Sequence, residues 1–236
     1  MKKYRICGIN VGCDFRHDIM VPRSEKYLSD FEKADILIPY PAEEMAVYDV
    51  AAPHLTIAER ELMCTGRHFY TALLNFDGFM LHSSAVAVNG KAYLFSAPSG
   101  TGKSTHTEQW LKLFGEKAQI INDDKPAIRI EPDGIYVYGT PWSGKSDLNV
   151  NGRFEIGGIC VLERAAENRI APLDEGTAIF SILNQTIRPA DPSAMSALLS
   201  LLDKVIGKVP VWKMGCNIST EAAKTAYEAM SGEKFE

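Results

Sequence analysis

The stretch KAYLFSAPSGTGKST, residues 91–105, is the most informative part of this sequence. Residues 91–96 are apolar and aromatic enough to form a buried strand, and the segment after the turn has an apolar face at helical spacing. The members of that face are Thr107, Trp110, Leu111 and Phe114. Because Gly100 and Gly102 lie between the two segments, the sequence predicts a strand, a tight turn and a helix over residues 105–114.

This arrangement suits the binding of a phosphate chain. The N-terminus of a helix has N–H groups without intrahelical partners and carries a partial positive charge, and a glycine-rich turn lets the backbone approach an anion closely. In such a loop Lys103 reaches the β- and γ-phosphate oxygens of ATP, and the Ser104 hydroxyl binds Mg²⁺. The alternative is a glycine-rich turn without a ligand. The predicted nucleotide-binding residues are Ser99, Gly100, Thr101, Gly102, Lys103, Ser104 and Thr105.

A second lysine-bearing turn matches the phosphate-loop pattern G-x-x-x-x-G-K-[ST] literally, in GTPWSGKS at residues 139–146. Residues 97–104, APSGTGKS, miss the pattern because Ala97 replaces the first glycine, which is acceptable if its φ is negative. Context favours residues 97–104, since the sequence after Lys145 is a poor helix former. Lys145 is either a cation that reaches the transferred phosphate or part of a solvated loop.

Two adjacent carboxylates follow a short apolar strand. Asp123 and Asp124 lie about twenty positions after the lysine of the loop, at the end of the segment QIINDD. Mg²⁺ is usually held by one or two carboxylates together with substrate phosphates, and a carboxylate can also accept the proton of an attacking hydroxyl. Such a pair is often only a turn, but after a phosphate loop it indicates a metal-binding and proton-accepting element.

Three motifs in this order resemble the core of the HPr kinase/phosphorylase and ATP-dependent phosphoenolpyruvate carboxykinase superfamily. LHSSAV begins at Leu81, LFSAPSGTGKST begins at Leu94, and IINDD ends at Asp124. The resemblance covers about residues 80–125. It implies an α/β fold with a P-loop kinase core and a mixed β-sheet.

The resemblance also implies roles for individual residues. His82 would contact the transferred phosphate or a metal, Asp123 would be the base that deprotonates the acceptor hydroxyl, and Asp124 would assist at the metal with Ser104. Glu155 is similar in its surroundings to a metal-proximal glutamate of the superfamily. Two further expectations come from the residues themselves. Arg153 is a candidate cation for the phosphate, and His106 is expected to face solvent.

These features predict a kinase that uses ATP and Mg²⁺ and transfers the γ-phosphate to a hydroxyl group. The acceptor is a serine of a protein or peptide, or a small molecule. HPr itself is not the expected acceptor, since residues 1–76 do not resemble the N-terminal domain of HPr kinase. One alternative is a nucleotide-binding regulator without catalysis. Carboxykinase chemistry is disfavoured, because those enzymes are more than twice as long.

Strands and helices interleave along the second half of the chain, which is typical of an α/β fold. Asn89-Gly90 and Pro132-Asp133-Gly134 predict two β-hairpins, and residues 4–10 and 80–88 are each predicted to form a strand. We place a boundary near residue 77, between an N-terminal accessory α/β segment (1–76) and a P-loop kinase core (77–236).

Composition excludes several classes of partner. The net charge is −5, which does not favour nucleic acid or an anionic membrane surface, and no apolar run approaches the roughly 18 residues of a spanning helix. The five cysteines are scattered and odd in number, which indicates free thiols. The N-terminus MKKYRICGIN lacks the pattern of a signal peptide. We therefore expect a cytoplasmic protein, with the oligomeric state left open.

Overall fold

The computed structural model describes residues 1–235. The N-terminal part contains a small three-stranded sheet in which β1 and β2 are antiparallel and β2 and β3 are parallel. Its helices include α3, which Thr56 and Glu59 begin with a reciprocal capping box. The elements are β1 (Lys2–Ile6), β2 (Ile9–Cys13), α1 (Met20–Ser24), β3 (Ile36–Ile38), α2 (Ala42–Ala51) and α3 (Ile57–Leu73).

The rest of the described chain forms a nine-stranded mixed sheet with four helices. The strands are β4 (Gly78–Met80), β5 (Ser83–Val88), β6 (Lys91–Ser96), β7 (Ala118–Asp124), β8 (Ala127–Glu131), β9 (Gly134–Tyr138), β10 (Arg153–Arg164), β11 (Arg169–Pro172) and β12 (Val211–Cys216). The helices are α4 (Lys103–Phe114), α5 (Glu175–Leu183), α6 (Pro192–Ile206) and α7 (Thr220–Ser231). Within residues 1–235, no helix combines the length and the apolar character needed to cross a bilayer.

The sheet order is β4-β8-β9-β10-β6-β5-β7, with β12 beside the end of β10 and β11 beside β12. The long strand β10 is parallel to β6 and to β12, and its first residues pair antiparallel with β9. Both predicted hairpins are present. Asn89 and Gly90 adopt positive φ values of 52° and 81° between β5 and β6, as the tight turn requires. The mixed α/β class expected from the sequence is confirmed at this level.

Helices cover both faces of the large sheet. Alternate residues of a strand point to opposite faces, so each strand can contribute to the apolar clusters on both sides. On β5, Val86 and Val88 pack towards α4 and α7, in a cluster that also contains Trp110 and Tyr227. The intervening residues of β5 face a second cluster, formed with α5 and α6. That cluster includes Ala85, Ala87, Leu94, Ile121, Leu198 and Leu202. The sheet is therefore buried on both sides, and its strand ends are the places where polar groups can gather.

The N-terminal sheet and α3 pack against the β8–β9 side of the large sheet. One apolar cluster contains Tyr4, Phe69 and Leu73 from the N-terminal part together with Tyr138 and Trp142. The Trp142 ring is buried and stacks on Phe69, with ring centroids 4.7 Å apart. This packing connects the N-terminal part to the segment that follows β9. A boundary near residue 77 stays a prediction.

Candidate active site

The three motifs singled out in the sequence meet at one edge of the large sheet. Strand β5 lies between β6 and β7 and runs antiparallel to both. Ser83, at its start, pairs with Ser96 at the end of β6 and with Asp124 at the end of β7. Strand register therefore brings His82, the loop after β6 and the carboxylates that end β7 to the same end of these strands.

The loop between β6 and α4, residues 97–102 (the glycine loop), has the backbone of an anion-binding turn. Gly100 and Gly102 have φ values of 77° and 120°, and a Cβ at either position would meet open space. Residues with a side chain rarely adopt such φ values, so glycine is needed here for conformation rather than for packing. Ala97 is buried, and its φ lies outside the left-handed region, so this position does not require a glycine.

Lys103, the first residue of α4, folds back over the glycine loop. Its Nζ donates to the carbonyl oxygen of Ala97 at 2.9 Å, and the residue is 8% exposed. Burial lowers the pKa of Lys103, while Asp124 and Asp123 act in the opposite direction. The ammonium group is therefore held at the mouth of the loop, close to both carboxylates.

A cleft of about 550 Å³ opens in front of these groups. It is bounded by the glycine loop, the first turn of α4, the carboxylates and the second lysine-bearing turn. The lining residues are His82, Ser99, Gly100, Gly102, Lys103, Ser104, Thr105, Glu108, Asp123, Asp124, Gly144, Lys145 and Ser146. Of the residues predicted from the sequence for this site, Thr101, Arg153 and Glu155 are missing from the lining. Thr101 lines a neighbouring cavity.

Asp123 presents one free carboxylate oxygen. The residue is 8% exposed, and its Oδ2 accepts a hydrogen bond from the Ser146 hydroxyl at 2.9 Å. Its Oδ1 is buried and has no hydrogen-bond partner within residues 1–235. A buried carboxylate oxygen without a partner is costly, so it is expected to receive a proton, a metal ion or a ligand hydroxyl.

Asp124 is engaged by a histidine and a lysine side chain. His82 Nε2 lies 3.2 Å from its Oδ1, and Lys125 pairs with its Oδ2. Burial alone would raise the pKa of Asp124, but the hydrogen bond from His82 and the charge of Lys125 outweigh burial and lower it to about 2. The other ring nitrogen of His82, Nδ1, lies 3.0 Å from Gln185 Oε1, which fixes the orientation of the ring.

The carboxylates are shaped by Asn122, which is fully buried. Its Oδ1 accepts from the backbone N–H groups of Asp124 and Lys125, and its Nδ2 donates to the carbonyl oxygen of Thr140 at 2.9 Å. Tyr70 of α3 donates its hydroxyl to the Lys125 carbonyl. The chain therefore turns sharply after β7, and the two carboxylates point into the cleft from a fixed backbone.

The second lysine-bearing turn differs from the glycine loop in the reason for its glycines. A Cβ on Gly139 would lie 1.9 Å from the Val150 carbonyl oxygen, and one on Gly144 would lie 2.4 Å from the Asp123 carbonyl oxygen. These glycines therefore permit close backbone packing. Lys145 is followed by a turn and an extended segment rather than by a helix, as its sequence indicated. Lys145 is exposed and lines the same cleft as Lys103.

A metal ion at this site would need phosphate oxygens to complete its coordination. Within residues 1–235, no three His, Cys, Asp or Glu side chains are grouped closely enough to hold one alone. Mg²⁺ commonly uses only one or two carboxylates beside substrate phosphates, so Ser104 and Asp124 fit that chemistry. A metal at Asp124 would share that carboxylate with His82 and Lys125, whose side chains are both partly exposed. Asp123 is a second carboxylate that lines the cleft.

A second cavity of about 440 Å³ lies on the other side of the glycine loop. It shares Gly100, Gly102 and Thr105 with the cleft, and its remaining wall is formed by the ends of β10 and β12. Arg164 closes one side, where its Nε donates to the Thr101 carbonyl at 3.1 Å and its Nη2 donates to the Gly100 carbonyl. The apolar part of the wall comes from Leu162, Ala165 and Ile218.

Three expectations from the sequence end differently. His106 was expected in solvent, which is wrong: it is 4% exposed, and its Nε2 accepts from Trp110 Nε1 at 3.2 Å. Arg153 pairs with Glu131 and Asp133 and stacks on a tyrosine ring, so it is not a cation of this cleft. Glu155 is exposed beside these residues, in a different surface hollow.

The burial of His106 predicts a pH-dependent stability. Burial lowers its pKa to about 4, whereas a histidine in the unfolded chain titrates near 6.5. Between these values the unfolded state binds more protons, so stability should fall as the pH drops through this range, by about 2 kcal/mol between pH ~7 and ~4.5. His106→Gln keeps an acceptor for Trp110 and should lack this loss. Urea unfolding of both proteins at the two pH values measures it, and equal losses would contradict the assignment.

Several residues that contact Asp123, Asp124 or His82 were not identified from the sequence. Ser146 belongs to the literal phosphate-loop match, but its contact with Asp123 depends on the fold. Lys125 and Asn122 flank the two carboxylates directly, and that adjacency was the available signal. Gln185 lies in the turn after α5, about 100 positions away, and nothing in the sequence relates it to His82.

No family model matches this chain, and no curated protein matches it at a significant level. Among solved structures, the chain is similar to the structure of the Hpr(Ser) kinase/phosphatase from Coxiella burnetii. The two chains are 14% identical, the alignment covers 64% of this chain and 92% of that chain, and the TM-score is 0.33. The similarity is distant, and the geometry of the cleft is the evidence on which a function can rest.

Proposed function

We propose that this chain is an ATP-dependent phosphotransferase that moves the γ-phosphate of ATP to a hydroxyl group. The observation that supports this most strongly is the meeting of three elements at one sheet edge: the glycine loop with Lys103, the carboxylates that end β7, and His82 before β5. Phosphoryl transfer depends mainly on positioning and on stabilising charge. A helix N-terminus, two lysines and two carboxylates around one cleft supply both.

In this proposal the phosphates lie against the N–H groups of the glycine loop and of the first turn of α4. Lys103 neutralises charge at the β- and γ-phosphates, and Lys145 approaches the transferred group from the opposite side of the cleft. Mg²⁺, when bound, would neutralise further phosphate charge, with Ser104 and Asp124 as its protein ligands. His82 orients Asp124 and lies beside the transferred phosphate.

Asp123 is proposed as the base. The acceptor hydroxyl gives its proton to Asp123 Oδ1 as its oxygen bonds to the γ-phosphorus, and the bond from that phosphorus to the bridging oxygen of ADP breaks. ADP leaves with the electron pair of that bond. The hydrogen bond from Ser146 to Oδ2 holds the carboxylate in place, and Oδ1 is the oxygen that has no other hydrogen-bond partner within residues 1–235.

The cavity of about 440 Å³ beside the glycine loop is proposed to receive the nucleoside. It adjoins the cleft through shared residues of the loop, and its wall is partly apolar, as in most small-molecule sites. The acceptor would then enter from the side of His82 and Asp124, where a smaller hollow reaches Gln185. We propose a protein, peptide or small-molecule hydroxyl as acceptor, and the cytoplasm, where ATP is available, as the place of action.

The proposal is tested by incubating the protein with ATP and Mg²⁺ and a panel of serine-containing peptides and hydroxylated metabolites. ADP release that depends on one acceptor, with phosphate found on that acceptor, is the expected result. Binding of ATP without acceptor-dependent turnover would instead support the alternative, a nucleotide-binding regulator. Failure to bind ATP at all would contradict both.

A further inference from the structure

The turn that carries Lys145 is anchored on both sides of the lysine. Residues 144–147 form a β-turn in which the Asp147 N–H donates to the Gly144 carbonyl at 3.1 Å, and Asp147 adopts a φ of 52°. Asp147 Oδ1 accepts from the Ser143 hydroxyl and from Asn149 Nδ2, both at 2.9 Å. Ser143 and Asn149 are themselves buried. The residues on either side of the turn are therefore fixed by hydrogen bonds, while Lys145 at its tip is exposed.

Arg23 reaches this turn from α1, at the far end of the sequence. Its Nη1 donates to the Ser143 carbonyl at 2.8 Å, and its Nε lies 3.3 Å from Asp147 Oδ1. The side chain of Arg23 is 12% exposed, whereas that of Asp147 is 43% exposed. One guanidinium group thus holds the residue before the turn and the residue that ends it, which a planar group with several N–H donors can do and a single ammonium cannot.

The opposite side of the same turn rests on the proposed base. The Ser146 hydroxyl donates to Asp123, and Gly144 packs on the Asp123 carbonyl so closely that a side chain would not fit. The turn is therefore held between Arg23 and Asp123.

We propose that Arg23 is a positioning residue for Lys145, through which the N-terminal part of the chain sets the preference of the cleft for ATP over ADP. The inference rests on the proposed function, because it takes the γ-phosphate as the group that Lys145 contacts. Arg23 does not itself line the cleft. Its effect is to keep the turn in place.

Affinities for ATP and for ADP, each with Mg²⁺, test this by titration calorimetry and need no acceptor. Lys145→Ala should weaken ATP binding roughly 10-fold and leave ADP binding unchanged, since a hydrogen bond to a charged group is lost only in the triphosphate complex. Arg23→Ala should lower the same ATP/ADP ratio about 5-fold. In the Lys145→Ala background, Arg23→Ala should have no further effect, because the two act through one contact.

Three variants make the test specific. Arg16→Ala removes a comparable arginine of the N-terminal part, one paired with Asp14 at the surface, and should leave the ratio at the wild-type value. Arg23→Lys should restore only part of the preference. Asp147→Asn keeps the acceptor oxygen and tolerates the left-handed backbone, so it should fold even if Arg23→Ala does not, and it should shift the ratio in the same direction.

The inference is overturned if Arg23→Ala folds and keeps the wild-type ratio, if it weakens both nucleotides equally, or if its effect adds to that of Lys145→Ala. An unchanged ratio in Asp147→Asn overturns it where Arg23→Ala is unfolded. If the wild-type protein binds ATP and ADP while the Arg23 inference is overturned, the proposed function is unaffected. If the wild-type protein binds neither nucleotide, both the Arg23 inference and the proposed function are wrong.

Discussion

Lys103→Ala is expected to weaken ATP binding by roughly 100-fold or more. The ammonium group is held within the glycine loop, 2.9 Å from the Ala97 carbonyl, and it is the buried cation nearest to the proposed phosphate position. Alanine leaves the phosphate charge without this partner in a partly desolvated site, where the loss is larger than in water. No other described cation can replace it, because Lys145 comes from a separate turn on the opposite side of the cleft.

Thermal denaturation with and without ATP–Mg²⁺ measures this effect. A ligand present at 100 times its dissociation constant stabilises the folded state by about 2.7 kcal/mol, and this stabilisation should disappear in the variant. Lys112→Ala is the matched control, since Lys112 lies on the same helix, is exposed and is remote from the cleft. Equal stabilisation of Lys103→Ala and of the wild type by ATP would show that the glycine loop does not bind the phosphates.

Asp123→Asn is expected to reduce phosphate transfer by roughly 10²- to 10⁴-fold while ATP still binds. Asparagine has almost the same shape, and its amide oxygen can still accept the hydrogen bond from Ser146. The amide cannot take up the proton of the acceptor hydroxyl, so the chemical step should be lost and the cleft kept.

Single-turnover transfer to the acceptor found in the peptide and metabolite panel, together with ATP affinity, separates these two effects. Asp133→Asn is the matched control, because Asp133 lies at the surface and pairs with Arg153, outside the cleft. Transfer at the wild-type rate by Asp123→Asn would show that the base is another group. A parallel loss of ATP affinity would instead indicate that Asp123 acts mainly on the metal or on the fold of the cleft.

Local sequence was sufficient for most of the regular structure. Asn89-Gly90 predicted the β5–β6 hairpin because both residues tolerate the positive φ values that such a turn needs. Residues 4–10, predicted as one strand, instead belong to two strands, and a positive φ value again explains the turn between them. The chain turns back there at Cys7, which has a φ of 53°, and a cysteine rarely adopts that conformation. The sequence therefore concealed the β1–β2 hairpin.

Long-range contacts account for another difference. Residues 80–88 read as one continuous strand, but Met80 ends β4 and β5 begins at Ser83. Between them the His82 N–H donates to the Gln185 carbonyl at 2.7 Å, in the segment that follows α5. This contact joins residues more than 100 positions apart, so no local pattern could predict it. It also places His82 at the cleft rather than within a strand.

The candidate site was predictable in its parts and not in its assembly. The glycine loop and the carboxylates are adjacent to recognisable strands, and strand order brings them together. The sequence could not show that the two lysine-bearing turns line one cleft, since their approach depends on Gly144 packing against the Asp123 carbonyl. Nor could it relate Arg23 to Lys145. The burial of His106 was missed because its neighbour Trp110 packs the ring beneath β6, a matter of tertiary contact.

The two glycine-bearing turns have similar sequences but would respond differently to replacement of their glycines. At Gly100 and Gly102 a methyl group would find room and meet only torsional resistance, so these glycines are needed for the backbone conformation of the loop. At Gly139 and Gly144 a methyl group would clash with a neighbouring carbonyl oxygen, so these positions require glycine for close packing. The two turns therefore need glycine for different physical reasons: one for its backbone conformation, and the other for the space beside a carbonyl oxygen.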